Sequence, residues 1–243
     1  MKDFSFKIPQ EIVFGLGSLK KLPGILKDNH IDNALLVSDH GLESIGVVKK
    51  ITDILDEGGV QYTTYLDVIP NPTISVVEEA TALYQKNNCK SIIALGGGGP
   101  MDVSKAVGVL VKFGGSIKDY VGVGNVPGPI VPMLAIPTTA GTGSELTQAM
   151  VISDPEHNDK ECIFHDKAFA KEAIIDPELM RTLPPRMTAI TGFDAFTHSF
   201  ESYLRDCASP YTKTIGMKSM SLIVEALPKL VKDTGNMELR EKM

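Results

Sequence analysis

The chain has no surplus of basic charge. Across 243 residues, 24 Lys and Arg are set against 30 Asp and Glu, a net charge of −6. A nucleic-acid or anionic-membrane surface needs clustered Lys and Arg, so neither partner is expected. Cysteine is scarce as well. Cys89, Cys162 and Cys207 are odd in number, far apart and in no CxxC pair. That argues against a disulfide framework and suits a reducing cytoplasm. The opening "MKDFSFKIPQEIVFG" lacks the apolar h-region of a signal peptide. No stretch approaches the roughly 18 uncharged apolar residues of a membrane span. Internal repeats and low-complexity tracts are missing too. What remains is globular in balance, 43% apolar and 22% charged, with length for a sizeable core. A soluble, cytoplasmic protein of one large or two modest domains is expected.

The first half alternates strand and helix patterns. "NALLVSD" (33–39), "VQYTTYLD" (60–67), "SIIAL" (91–95) and "MLAIP" (133–137) read as strands. Between them lie helix patterns at 44–59, stopped by Gly58 and Gly59, and at 74–88, capped by "NPT". A β-α-β-α-β-α order predicts a parallel sheet covered by helices. The Gly/Pro-rich stretch 114–132 is too long for a simple connector, and such loops often carry function. A hairpin is predicted at 149–165, turning at "PEHND", and "EAIIDPELM" (172–180) closes this half. After "LPP" (183–185) the pattern is helical. Ser209 and Pro210 look like the N-cap and first-turn pair of the second long helix. The expected division is an α/β domain over 1–182 and the first part of an all-helical domain over 183–243.

Four places can carry chemistry. "ALGGGGPMDVSKAVGVL" (94–110) is strand, glycines, then helix. That arrangement offers backbone N–H groups and a helix N-terminus to an anion. It is neither GxGxxG nor the P-loop GxxxxGK[ST], and a tight βα turn explains it equally. Asp102 and Lys105, three apart, share one helix face, and Asp102 reads as an N-terminal charge complementing the dipole. Asp39 ends a strand, where a carboxylate can take both hydroxyls of an adenosine ribose and favour NAD over NADP. It can equally cap the next helix. Thr138, Thr139, Thr142 and Ser144, in "AIPTTAGTGSE" (135–145), can hydrogen-bond a cofactor or cap the next element. In "GFDAFTHSFESY" (192–203), Asp194 and His198 are i and i+4 on one helix face. A carboxylate and an imidazole suit Fe²⁺ or Zn²⁺; a plain Asp–His hydrogen bond fits the spacing as well. Of the other histidines, only His40, next to Asp39, is placed to neighbour a cofactor.

In this order, "VFGLGSL" (13–19), "NPT" (71–73), "ALGGGGPMDVSKAVG", "AIPTTAGTGSE", "AIIDPELM" and "GFDAFTHSFESY" resemble the iron-containing (group III) alcohol dehydrogenases. The resemblance runs over essentially the whole chain. It implies a dinucleotide-binding α/β domain followed by an all-helical domain, in a dehydroquinate synthase-like architecture, with the metal in the cleft between them. It implies an oligomeric oxidoreductase that interconverts a small alcohol and its aldehyde with NAD and Fe²⁺, or Zn²⁺. Asp39 would select NAD. Asn71 and the segment Gly96, Gly97, Gly98, Gly99, Pro100, Met101 and Asp102 would hold ribose and pyrophosphate. Thr138 and Thr139 would flank the adenine and ribose side, Ser144 would join the cofactor contacts, and Lys160 matches a lysine near the nicotinamide ribose. Asp194 and His198 match the first two metal ligands.

The sequence departs from that pattern twice. The family loop reads Gly-Gly-Gly-Ser, whereas the fourth residue here is Gly99, which keeps the backbone N–H and lacks the hydroxyl. The family's two further metal histidines, and another near its active site, follow later in the helical domain, and no histidine follows His198 here. The chain is therefore expected to stop short of the full metal site, to carry no complete catalytic set and to turn over little by itself. It is also expected to expose apolar helix surface. Two other readings stay open: a zinc polyol dehydrogenase such as glycerol dehydrogenase, and a non-catalytic NAD-binding protein.

Overall fold

The computed structural model describes residues 3–243. The elements in order are β1 (Glu11–Phe14), a 3-10 turn (Ser18–Lys21), α1 (Leu22–Asp28), β2 (Asn33–Val37), α2 (His40–Ser44), α3 (Val47–Glu57), β3 (Gln61–Tyr65), α4 (Ile74–Lys86), β4 (Ser91–Gly96) and α5 (Gly98–Phe113). They continue with β5 (Gly122–Val123), β6 (Met133–Pro137), β7 (Ala149–Asp154), β8 (Asp159–Phe164), β9 (Glu172–Ile175), α6 (Pro185–Leu204), α7 (Pro210–Leu230) and α8 (Met237–Lys242).

Six strands form one parallel sheet in the order β1-β9-β6-β4-β2-β3. Every residue of β4 and β6 is buried, because a parallel sheet covered on both faces leaves no strand side for water. Leu35, Val37, Ile92, Ala94, Met133 and Ala135 face one layer, built with α4, α5 and the small β5-β8-β7 sheet. Ala34, Leu36, Ile93, Leu95, Leu134 and Ile136 face the other, with α1 and α3. In α3, Val47, Val48, Ile51 and Leu55 repeat at helical spacing and are buried, each large side chain contributing roughly 1.5–3 kcal/mol.

The structure redraws several sequence boundaries. The helix expected over 44–59 is broken at Gly46, whose φ of 77° ends α2 before α3 begins. The extended run at 172 stops at Ile175, because Pro177 opens a 3-10 turn. Asp176 caps that turn and also accepts the N–H groups of Gly17 and Leu19, tying β1's exit to β9's. Thr73 sits at the N-cap of α4, yet its hydroxyl bonds Ser75 rather than a backbone N–H. The long segment after α5 is largely structural. It folds into a 3-10 turn with a Ser116/Asp119 capping box, adds β5 to β8, and buries Ile117, Tyr120, Val126 and Ile130.

Beyond Pro184 the chain forms α6, α7 and α8, joined by short turns. α7 starts as its sequence suggests, with Ser209 accepting from the Thr212 N–H at 3.1 Å and Pro210 in the first turn. α6 and α7 pack closely because Gly192 and Gly216 lie at their contact: a Cβ on Gly192 would collide with Leu227, and one on Gly216 would lie 3.1 Å from the Ser199 carbonyl. The buried Arg240 of α8 bonds α6 through Thr188 Oγ1 at 3.1 Å and the loop before it through the Leu183 carbonyl at 3.0 Å. Among the described residues no helix is long and apolar enough to cross a membrane.

Candidate functional site

The sheet reverses its winding between β2 and β4. From β2 the chain crosses outward to β3, and from β4 it crosses the other way to β6. In open parallel sheets the crevice at the strands' carboxyl ends, where the winding reverses, is the natural ligand site. The ends that meet there are Ser38–Asp39 after β2 and the four glycines that end β4 and open α5.

Three of the four glycines are required by close approach. Gly96 has φ 148°, and a Cβ there would lie 2.6 Å from Pro100 Cγ. A Cβ on Gly97 would sit 3.2 Å from Thr139 Oγ1, and one on Gly98 3.0 Å from Thr142 Cγ2. Gly97 is the N-cap of α5 and supplies no side-chain cap. The N–H groups of the first turn therefore lack intrahelical partners, and those of Gly98 and Gly99 point out of the helix end. Pro100 and Met101 are buried in the core, so the ligand side of the turn is backbone. Such a turn can take an anion, with the positive end of a 16-residue helix behind it. Gly99 is the roomiest of the four: its nearest neighbour to a Cβ would be Val68 at 3.5 Å.

Asp39 caps α2, accepting from the Leu42 N–H at 2.9 Å through Oδ1. Among the described residues its other oxygen has no hydrogen-bond partner, so capping leaves an acceptor at the crevice. His40 is exposed and held between Glu43 (2.8 Å) and Asp67 (3.0 Å). Those carboxylates raise its imidazole pKa. Asn71 adopts φ 54° and accepts from Lys160 Nζ at 3.0 Å. The hairpin β7–β8 is fastened to this segment by the Ser153 N–H on the Pro72 carbonyl at 2.8 Å. Asn71 and Lys160, distant in sequence, are thus brought together beside the crevice.

Thr138 is buried and donates its N–H to the Gly96 carbonyl at 3.0 Å, while Thr139 faces Gly97. Ser144 and Asp102 turn inward. Ser144 Oγ donates to Asp102 Oδ1 at 2.6 Å and accepts from Lys105 Nζ at 2.9 Å. Asp102 Oδ2 accepts from the Val151 N–H at 3.1 Å. The Asp102 carboxyl is therefore more than a surface charge on the helix dipole. Burial raises its pKa, opposed by Lys105, Ser144 and Val151. Spacing placed Asp102 and Lys105 on one face without revealing that both enter a buried network. A lysine inside the apolar run "SKAVGVLV" was the available signal.

Asp194 and His198 stand on α6 as the i, i+4 pattern requires, with Asp194 Oδ1 3.7 Å from His198 Nε2 and side chains 41% and 54% exposed. That is too long for a hydrogen bond, so both retain donor atoms for a cation, and a carboxylate with an imidazole suits Fe²⁺ or Zn²⁺. No third Asp, Glu, His or Cys joins them among the described residues. The one three-donor cluster found there, Asp154, Glu156 and His157, lies in the hairpin. Asp154 Oδ2 already accepts from Lys118 Nζ (2.6 Å) and His157 Nδ1 (2.7 Å). Those two partners hold its carboxyl well below the usual range, and the lysine makes the cluster a poor cation site.

Residues 9–177 match the family model described as iron-containing alcohol dehydrogenase, and residues 188–243 match that of the Fe-containing alcohol dehydrogenase C-terminal domain. A curated relative, the NAD-dependent methanol dehydrogenase of Bacillus methanolicus, is 37% identical over 239 residues, 98% of this chain and 63% of the relative. The lactaldehyde reductase of Escherichia coli K12 is 37% identical over 217 residues, 88% of this chain and 56% of the relative. Among solved structures, a 1,3-propanediol oxidoreductase superposes with TM-score 0.95 at 32% identity, over 99% of this chain and 63% of its own. The sulfoacetaldehyde reductase of Bifidobacterium kashiwanohense, in complex with NAD+, superposes with TM-score 0.94 at 32% identity, over 100% and 64%. The chain thus spans less than two thirds of the length of these relatives.

Proposed function

The chain belongs to the iron-containing alcohol dehydrogenase family, and from that premise we propose that the whole protein transfers hydride between a small primary alcohol and NAD. The observation that carries this reading is the uncapped N-terminus of α5 at the reversal of the sheet. Its glycine backbone fits a pyrophosphate, and a carboxylate stands one strand away. NAD-dependent methanol dehydrogenase and 1,3-propanediol oxidoreductase among the relatives support the reaction class.

Gly96 to Asp102 form the pyrophosphate turn, with Gly98 and Gly99 as N–H donors. Asp39 takes the adenosine ribose hydroxyls with the oxygen that α2 leaves free, and its charge opposes a 2′-phosphate. Thr138 and Thr139 line the adenine and ribose side. Asn71 and Lys160, already bonded to each other, form the edge near the nicotinamide ribose. Asp194 and His198 offer two donors to the metal, and a catalytic site of this kind needs at least three protein ligands, so further donors must come from elsewhere in the whole protein. When bound, NAD supplies the hydride acceptor and the metal a Lewis acid for the alcohol oxygen. The protein's residues orient the dinucleotide toward α6. The division into a cofactor part (1–182) and a helical metal part (183–243), a cytoplasmic location and a homo-oligomeric state belong to the same proposal.

The test is anaerobic reconstitution of the whole protein with Fe²⁺ and assay for NADH formation on adding short primary alcohols. Alcohol-dependent NADH formation is expected; its absence with every short alcohol and diol overturns the reaction.

A further inference from the structure

Lys105 lies in the second turn of α5 with no exposed surface. A buried ammonium is costly unless its donors are met. Its Nζ approaches the Ser144 carbonyl at 2.7 Å, the Ala149 carbonyl at 2.8 Å, Ser144 Oγ at 2.9 Å and Thr147 Oγ1 at 3.2 Å. Three of the four acceptors belong to the arch between β6 and β7, and the fourth, the Ala149 carbonyl, opens β7 where the arch ends. Ser144 Oγ passes the connection on to Asp102, which also holds the Val151 N–H. Two charged residues of α5 therefore grip the arch through one shared hydroxyl. Burial pushes the Lys105 ammonium down to about 8, with Asp102 and then Glu145 drawing it back.

The same arch touches both halves of the proposed site. Thr139 and Thr142 press against Gly97 and Gly98. Gly141 lies so close to α6 that a Cβ would be 2.8 Å from Thr191 Cβ and 2.9 Å from its carbonyl. Thr191, Asp194 and His198 follow one another at helical i+3 and i+4 spacing, on one face of α6.

We propose that Lys105 is a positioning residue for the dinucleotide: it fixes the height of the 138–147 arch, and the arch sets both the walls of the glycine turn and the seat of the helix carrying Asp194 and His198. Lys105 does not touch the cofactor; it acts through Ser144 and the arch. The inference rests on the α5 N-terminus being the pyrophosphate site. A lysine with a purely stabilising role predicts otherwise: replacing it would lower the melting temperature and leave cofactor affinity in the folded protein unchanged.

The experiment is an NADH fluorescence titration of the 243-residue chain well below its melting temperature. It compares the wild type with Lys105→Met, Ser144→Ala and Ile51→Ala. Ile51 is buried in the opposite core layer, so its truncation lowers stability without touching the arch. Lys105→Met is expected to raise the NADH Kd about tenfold or more, corresponding to ~1.4 kcal/mol. Ser144→Ala, which keeps the lysine's two carbonyl contacts, should fall between, and Ile51→Ala should melt earlier with wild-type Kd. A Kd within twofold of wild type for Lys105→Met overturns the proposal, as does equal weakening by Ile51→Ala. If Lys105→Met does not fold, Ser144→Ala decides: raised Kd supports the proposal and unchanged Kd overturns it. Failure of the wild type to bind NADH overturns the pyrophosphate reading, and with it this proposal; all four proteins then fail alike.

Discussion

α5 and α6 are comparable in length and opposite in burial. Ten of the sixteen residues of α5 are buried, against two of the twenty in α6. α5 is clamped between the sheet and the arch, so its N-terminus, the proposed phosphate site, cannot drift. α6 shows Phe193 (65% exposed) and Phe200 (46%) beside Asp194 and His198, with Phe193, Phe196 and Phe200 in a stack along its outer face. One end of the proposed site is thus built into a core layer, and the other stands on an open helix held mainly by α7, Arg240 and the contact at Gly141. A proposed cofactor grip and a proposed metal pair of such different support should respond differently to mutation.

The sharpest way to break the contrast is Gly99→Asp. A Cβ has room there, and a carboxylate in the first turn favours the helix dipole by about 0.3–1 kcal/mol. Thermal stability should hold or rise while NADH binding weakens by at least ~100-fold, or ~2.7 kcal/mol, because the carboxylate takes the phosphate's place. Differential scanning fluorimetry beside an NADH titration reads both. Asp39→Ser comes next. Serine retains the N-cap of α2 and removes the charge facing a 2′-phosphate, so NADPH should bind about tenfold tighter, or ~1.4 kcal/mol, and NADH more weakly. Competitive titration of the two nucleotides measures the switch.

Gly99→Ser should have a smaller effect in the opposite direction to Gly99→Asp. An added hydroxyl on the phosphate is worth about 0.5–1.5 kcal/mol, which should appear as a several-fold lower NADH Kd with little change in melting. The least effect is expected from Asp194→Ala and His198→Ala. Both side chains are exposed, so each change should stay within about 0.5 kcal/mol of wild-type stability and leave NADH affinity unaltered. Large destabilisation by either would remove the contrast between the two helices.

The α/β half was legible wherever burial is continuous. "SIIAL" and "MLAIP" announce doubly covered parallel strands, and the glycines after the first mark its turn into α5. β1 and α1 leave no clear pattern in the sequence, for physical reasons. β1 is a four-residue edge strand with only Val13 buried, and α1 is seven residues long with Pro23 and Gly24 inside it. Asp102 and Ser144 were legible as polar residues near the glycine turn. Their mutual bond was not, because it depends on how the arch folds back over α5. The Asn71–Lys160 pair joins two segments that no local periodicity relates, so only the family resemblance pointed to both. That Asp194 and His198 share one face of a helix was legible from spacing; their reading as metal ligands came from the family resemblance.

The central claim is that the α5 N-terminus, with its glycine turn, is a finished dinucleotide site whatever the state of the metal pair. The most direct measurement is an NADH titration of the 243-residue chain with and without Fe²⁺, repeated on Gly99→Asp. Saturable binding that is indifferent to iron and lost in the variant is the predicted result. No saturable binding, or binding that survives a carboxylate at position 99, would contradict it.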